Sequence, residues 1–140
     1  MKPYLYLFIS LAFMACSKNS VDENCNFIPN IGVNESFNLV FEPFSRLSIG
    51  TSIYVPNYGY RGIFITNTGS GYVAFEATDP NHIPSPCSKL TLSGNNAICG
   101  CEDANTYNLF TGLPVNNSEL RCRLKEYRAE KTGNTLRVYN

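Results

Sequence analysis

The stretch between residues 79 and 112 most constrains what this chain can fold into. Residues 79–87 read DPNHIPSPC and residues 99–102 read CGCE, so two loops rich in Pro, Cys and His lie close together in the sequence. Residues 89–98, KLTLSGNNAI, are typical of a short hairpin. A hairpin brings its two ends together, so we expect the two loops to face each other across it.

The rest of the chain predicts short strands and turns, with no helix longer than a turn. Tyr and Phe supply 9 residues each, beside 10 Gly and 8 Pro, and this composition favours strands over helices. The length of 140 residues is enough for one domain with one core. Glycine-rich or polar turns are predicted at residues 67–71 and 131–134. Strands are predicted at residues 36–41, 52–55, 62–66, 72–77, 105–110, 121–130 and 135–139.

Five apolar side chains on these strands are predicted to be buried. They alternate with polar neighbours or lie in short apolar runs, which is the pattern of a strand with one or both faces in a core. The predicted core positions are Phe41, Ile63, Ile65, Phe75 and Leu109.

The N-terminus has the pattern of an export signal. Lys2 precedes an apolar run over residues 3–14, which is too short to span a membrane. The run ends in FMAC at residues 13–16, which resembles the lipobox of bacterial lipoproteins. The resemblance implies a signal peptide over residues 1–15, a diacylglycerol on Cys16 and a tether over residues 16–26. The alternative is an ordinary secretory signal that is cut nearby.

Either signal takes the chain out of the cytoplasm, and the lipoprotein resemblance implies the bacterial cell envelope, facing the periplasm or the cell surface. Lys and Arg number 11 and Asp and Glu also number 11, so no basic stripe exists for nucleic acid. Lipid rather than charge would then hold the protein to its membrane. No protein partner can be named from the sequence.

Cysteine usage fits an oxidising compartment, where disulfides persist. With Cys16 acylated, 6 − 1 leaves five cysteines, so at least one does not pair within the chain. Cys25 and Cys122 could tie the first segment to a late strand, although spacing does not fix this connectivity.

The two loops together resemble the Rieske iron–sulfur domain. In that family one loop offers Cys-x-His, and a second offers Cys-x-x-His before an aromatic strand and a Thr-Gly turn. Tyr107, Phe110, Thr111 and Gly112 stand where that strand and turn would be. The resemblance runs from about residue 58 to the C-terminus. It implies an all-β, Rieske-like antiparallel β-sandwich or barrel over residues 27–140, with a small two-loop cluster-binding-type subdomain at residues 78–112.

Most cluster ligands of the family are not matched. The alignment keeps Cys99, but it places Glu102 at the second-loop His position, Asp79 at the first-loop Cys position and Asn81 at the first-loop His position. A Rieske centre needs two thiolates and two imidazoles. The resemblance therefore implies a degraded site without a cofactor. The alternative is a 2Fe–2S cluster held through shifted ligands such as His82.

Rieske proteins of respiratory complexes also join their two loops by a disulfide. There the second loop reads Cys-x-Cys-His, and its second Cys pairs with an additional Cys of the first loop. The resemblance implies that Cys87 and Cys101 form this bridge here. The other interpretation is two buried free thiols.

Two further hypotheses concern single metal ions and acid–base chemistry. A sound Cys3His ligand set for zinc or iron is His82, Cys87, Cys99 and Cys101. A lone histidine such as His82 is nevertheless more often a loop residue that makes ordinary hydrogen bonds. The carboxylates of Asp79, Glu102 and Asp103 suggest general acid–base work or calcium, but solvated loop carboxylates are the commoner case.

No Ser-His-Asp, Cys-His or phosphate-loop pattern occurs in the chain, so an enzyme is not predicted. The sequence as a whole predicts a lipid-anchored extracytoplasmic Rieske-like domain with a degraded iron–sulfur site, acting as a non-catalytic binding or structural module. An electron-transfer protein is the alternative.

Overall fold

The computed structural model describes residues 25–140. The predicted signal peptide, Cys16 and nearly all of the tether therefore lie outside the described residues. The regular structure consists of nine strands and two single 3-10 turns, Phe44–Arg46 and Pro86–Ser88. The strands are β1 Asn34–Asn38, β2 Ser52–Val55, β3 Ile63–Asn67, β4 Tyr72–Glu76, β5 Leu90–Ser93, β6 Asn96–Cys99, β7 Thr106–Asn108, β8 Glu126–Thr132 and β9 Thr135–Tyr139.

All strand pairs are antiparallel, and they form two sheets. The larger sheet has six strands in the order β1-β9-β8-β4-β3-β2, and the smaller has three in the order β5-β6-β7. Strands β1 and β2 are the two edges of the larger sheet, yet Phe37 of β1 and Val55 of β2 belong to one core cluster. The larger sheet must therefore curl so that its edges approach each other. The predicted all-β class is confirmed, and so is the small two-loop subdomain, which is built on β5, β6 and β7.

Strand β3 separates the two halves of the core. Ile63 and Ile65 point into the first cluster, whereas Phe64 between them points into the second. Phe64 packs there with Phe75 of β4 and with Leu90 of the smaller sheet. Because successive side chains of a strand face opposite sides, a continuous apolar run places β3 between two packed layers. The second cluster thus fixes the subdomain against the larger sheet.

Four of the five predicted core positions are confirmed, and one is wrong. Ile63, Ile65, Phe75 and Leu109 are at most 1% exposed, but Phe41 is 66% exposed. Strand β1 ends at Asn38, whose side-chain oxygen accepts a hydrogen bond from the backbone N–H of Val40. This local turn competes with continuation of the ladder and turns Phe41 outward.

The predicted strand at residues 121–130 begins later than expected, at Glu126. Of the residues before it, Leu124 bonds to a loop, and Lys125 bonds to the last residue of β4. The N–H of Leu124 donates to the carbonyl of Gly112, and the carbonyl of Lys125 accepts from the N–H of Glu76. Within residues 25–140 no helix is long and apolar enough to cross a membrane.

Buried Glu76 fixes the loop before β3 to the larger sheet. Its carboxylate accepts hydrogen bonds from the backbone N–H groups of Tyr60 and Arg61 and from the hydroxyls of Thr78 and Tyr127. Burial, together with the carboxylate of Glu76, raises the pKa of Tyr127 far above its usual range. With all of its partners inside the fold, Glu76 is a structural carboxylate.

Candidate functional site

The first loop follows β4 and contains Asp79, whose side chain is buried and 0% exposed. The carboxylate accepts hydrogen bonds from Tyr107 Oη at 2.5 Å, from the N–H of Asn81 at 2.8 Å and from Asn105 Nδ2 at 3.0 Å. Burial, reinforced by the bond to Asp79, raises the pKa of Tyr107 far above its usual range. Asp79 therefore joins the first loop to β7. The expectation that it is a solvated loop carboxylate is wrong.

Asn81 connects the first loop to the segment before β8. Its amide nitrogen donates to the carbonyl of Cys122 at 2.8 Å and to Tyr107 Oη at 2.8 Å. Its side-chain oxygen accepts the N–H of Cys122 at 3.1 Å. Cys122 is itself bonded to Cys25, with an S–S distance of 2.04 Å. Asn81 thus uses both ends of its amide inside the protein.

The second loop begins at Cys99, the last residue of β6. Cys99 is a free thiol and is 3% exposed. The N–H of Cys101 donates to its sulfur at 3.5 Å, and the thiol lies 3.6 Å from the carbonyl of Cys87. Burial raises the pKa of the Cys99 thiol to about 12, and the nearby carboxylate of Asp79 adds to the effect. At neutral pH the thiol is therefore protonated.

A disulfide joins the two loops between Cys87 and Cys101, the pair that the family resemblance implies. The S–S distance is 2.10 Å and the Cα–Cα distance is 4.8 Å. Cys87 lies in the 3-10 turn Pro86–Ser88, which a capping box between Ser85 and Ser88 orders. A Cβ at Gly100 would lie 3.0 Å from the carbonyl oxygen of Cys87, so the close approach of the loops favours glycine there.

His82 completes a compact group of possible metal ligands. Its Nε2 lies 2.6 Å from Asp103 Oδ2 and 3.8 Å from Asp79 Oδ2. One ligand atom from each of four residues lies within 4.8 Å of all the others, and these residues are His82, Cys99, Cys101 and Asp103.

This group differs from the mononuclear set predicted from the sequence. The prediction included Cys87, whereas the structure brings Asp103 into the group in its place. The pairing of His82 with Asp103 spans 21 residues and belongs to no motif, so no pattern in the sequence indicates it. Glu102 is exposed and lies outside the group.

The residues present do not fit a Rieske cluster. Such a centre needs two imidazoles and two thiolates. The whole sequence contains 1 His, and Cys99 is the only cysteine outside a disulfide among residues 25–140. The predicted shifted-ligand cluster would therefore lack one imidazole even if the bridge were open.

No protein-family model matches this chain, and no curated protein matches it. A solved structure described as the complex of reduced oxygenase and oxidized ferredoxin in carbazole 1,9a-dioxygenase is similar to it, with 25% sequence identity and a TM-score of 0.46. The similarity covers 68% of this chain and 85% of that chain. The strands and loops of this chain themselves define its class: an all-β domain with a three-stranded subdomain whose two loops are joined by a disulfide.

Proposed function

We propose that this protein is a lipid-anchored, extracytoplasmic module whose two-loop subdomain is a disulfide-stapled binding or structural element, and not an electron carrier or an enzyme. One observation carries the proposal. Asp79 and Asn81, which the sequence resemblance aligns with the first-loop ligand positions of a Rieske domain, both make hydrogen bonds inside the fold.

The loops have enough internal support to hold their shape without a metal. The Cys87–Cys101 bridge spans 14 residues, and a loop of this size gives about 3 kcal/mol in the chain-entropy account. The two buried hydrogen bonds that Asp79 accepts from Tyr107 and Asn105 add about 1.5–3 kcal/mol each, because the acceptor is a carboxylate. The disulfide and these hydrogen bonds hold the two loops together, as a metal cluster would otherwise do.

Export and anchoring are supported by two kinds of feature. The short apolar run that ends at Ala15-Cys16 supports a lipid on Cys16. The two disulfides, Cys25–Cys122 and Cys87–Cys101, are of the kind that forms and persists in an oxidising compartment such as the cell envelope. The membrane, reached through that lipid, is the partner we propose.

Iron analysis of the purified full-length protein tests the proposal. Protein from iron-replete cells should be colourless, with iron far below one atom per chain. Its thermal midpoint should be the same with and without a chelator, because metal binding contributes nothing to the free energy of unfolding. About two irons per chain with visible absorbance, lost together with the fold on chelation, would restore the electron carrier.

The state of the bridge needs a separate measurement. Non-reducing peptide mapping of freshly isolated material should recover the peptides of Cys87 and Cys101 joined, and that of Cys99 as a free thiol. Recovery of Cys87 and Cys101 as two free thiols would contradict the staple.

A further inference from the structure

We propose that the subdomain contains a redox-gated site for one zinc-like divalent cation, which becomes complete when the Cys87–Cys101 bridge is reduced. The four ligands would be His82, Cys99, Cys101 and Asp103. The inference rests on the proposed function in one respect, because both require the loops to be free of an iron–sulfur cluster.

The donor set and its spacing suit a tetrahedral cation. Two thiolates, one imidazole and one carboxylate are all common zinc ligands. At zinc–ligand distances of about 2.0–2.3 Å, neighbouring ligand atoms lie about 3.4–3.8 Å apart. The four ligand atoms already lie within 4.8 Å of one another, and His82 Nε2 and Asp103 Oδ2 are 2.6 Å apart. Shifts of about 1 Å would therefore complete the coordination sphere.

The backbone places three ligands on one loop and the fourth on the loop opposite. Cys99, Cys101 and Asp103 are alternate residues that start at the last residue of β6, and His82 reaches them from the first loop. The N–H of Cys101 already points at the sulfur of Cys99 at 3.5 Å, and such a bond stabilises a metal-bound thiolate. Two thiolates and one carboxylate give three negative charges, which a divalent cation reduces to one.

The disulfide controls the site because it holds the sulfur of Cys101. A thiolate, and not a disulfide sulfur, is the metal ligand, so the bridged form has only three donors. Cys87 is on the exposed side of the bridge and Cys101 is half-buried, so the bridge is open to attack from solvent at Cys87.

Opening requires a dithiol reductant. Its thiolate attacks the sulfur of Cys87, and Cys101 leaves as a thiolate. The second thiol of the reductant then releases Cys87 and closes the reductant's own disulfide, so that two electrons and two protons pass to the protein in total. A divalent cation next displaces the protons of Cys99 and Cys101 and binds both sulfurs.

Two single variants separate the gate from the ligand. Cys87→Ser and Cys101→Ser both lack the bridge, but only Cys87→Ser keeps all four ligands. Each full-length protein would be purified in detergent, shown to melt cooperatively, and titrated with Co²⁺ and then Zn²⁺, with any dithiol removed beforehand. Thiolate-to-cobalt absorption reports the number of bound sulfurs.

We expect Cys87→Ser to bind one Co²⁺ without reductant, with the absorption of two thiolates. Cys101→Ser should bind about 100-fold or more weakly, with or without reductant. The wild-type protein should gain the same spectrum only after dithiol treatment, and His82→Gln should weaken that reduced-state binding. If a bridge-free variant does not fold, the wild-type comparison before and after reduction, together with His82→Gln, decides the question.

Equal cobalt binding by Cys87→Ser and Cys101→Ser, or by wild type before and after reduction, would overturn the inference. Such a result would leave the proposed function intact, since the protein as isolated would still lack iron. Iron-dependent colour in the isolated wild type would instead refute the proposed function.

Discussion

Replacement of Asn81 by Ala tests whether this side chain is a structural staple. The substitution removes its three side-chain hydrogen bonds to Cys122 and Tyr107, which are 2.8–3.1 Å long. Tyr107 keeps its bond to the carboxylate of Asp79, so its hydroxyl is not orphaned. The N–H and C=O of Cys122, a residue that is 4% exposed, lose their partner.

The expected loss of stability follows from the two unpaired backbone groups of Cys122. A buried backbone group left without a partner costs about 1–3 kcal/mol, and water that enters the gap recovers part of this. We therefore expect Asn81→Ala to lower the free energy of unfolding by about 2–4 kcal/mol. For a domain of this size the thermal midpoint should fall by roughly 8–15 °C.

The assay is equilibrium urea unfolding of the oxidised protein. A Cys16→Ser background is used so that the protein, without its proposed lipid, can be handled without detergent. The chain has 9 Tyr and 0 Trp, so tyrosine fluorescence and far-UV circular dichroism report unfolding. Asn117→Ala is the matched control, because Asn117 is exposed and only accepts the N–H of Glu119 at 2.9 Å. The control should lose less than about 1 kcal/mol. If the two variants agree within about 0.5 kcal/mol, the staple interpretation of Asn81 is refuted.

Three further predictions concern the anchor, the free thiol and one close contact. Cys16→Ser should move the protein from the membrane fraction to the soluble fraction, and intact mass should show a diacylglycerol adduct on wild type only; unchanged partitioning would count against a lipid on Cys16. The pKa of the Cys99 thiol rises from 9.0 to about 12, so its thiolate fraction at pH 8 falls on the order of 10³-fold. Alkylation of Cys99 in the native protein should therefore be at least that much slower than in the unfolded chain. Rapid labelling of Cys99 in the native protein would contradict its burial. Gly112→Ala should destabilise the protein by about 1–3 kcal/mol more than Gly94→Ala. Both glycines have positive φ, but a Cβ at Gly112 would lie 2.7 Å from the ring of Phe75, whereas a Cβ at Gly94 would have nothing within 4 Å. Equal melting points would show that the ring moves aside at little cost.

Local features of the sequence predicted local features of the fold. The hairpin of β3 and β4 was predictable because an apolar run, a glycine-containing turn and a second apolar run follow one another directly. Ile63 and Ile65 of β3 and Phe75 of β4 are buried because both strands of this hairpin contribute side chains to the two core clusters. Exposed Phe41 was not predictable from alternation, because strand β1 ends early, where the side chain of Asn38 accepts a hydrogen bond from the N–H of Val40.

The site was less accessible to prediction because its contacts join distant residues. Asp79 is buried through partners 26 and 28 residues away, Asn105 and Tyr107, and sequence spacing contains no sign of either bond. His82 and Asp103 meet only because two loops of separate strands face each other. A family resemblance could indicate Cys87 and Cys101 as a pair, whereas it could not indicate which carboxylate would replace a missing ligand.

The Cys25–Cys122 bridge has a mechanical consequence. A pull on the N-terminal segment reaches Cys122 through a covalent bond across 97 residues of sequence, so the load bypasses β1 and its hydrogen-bonded ladder with β9. From Cys122 the force passes along the backbone to β8 and through the amide of Asn81 into the first loop. A pull on the chain before Cys25 would therefore load β8 and the first loop together, instead of peeling β1 alone from the edge of the six-stranded sheet.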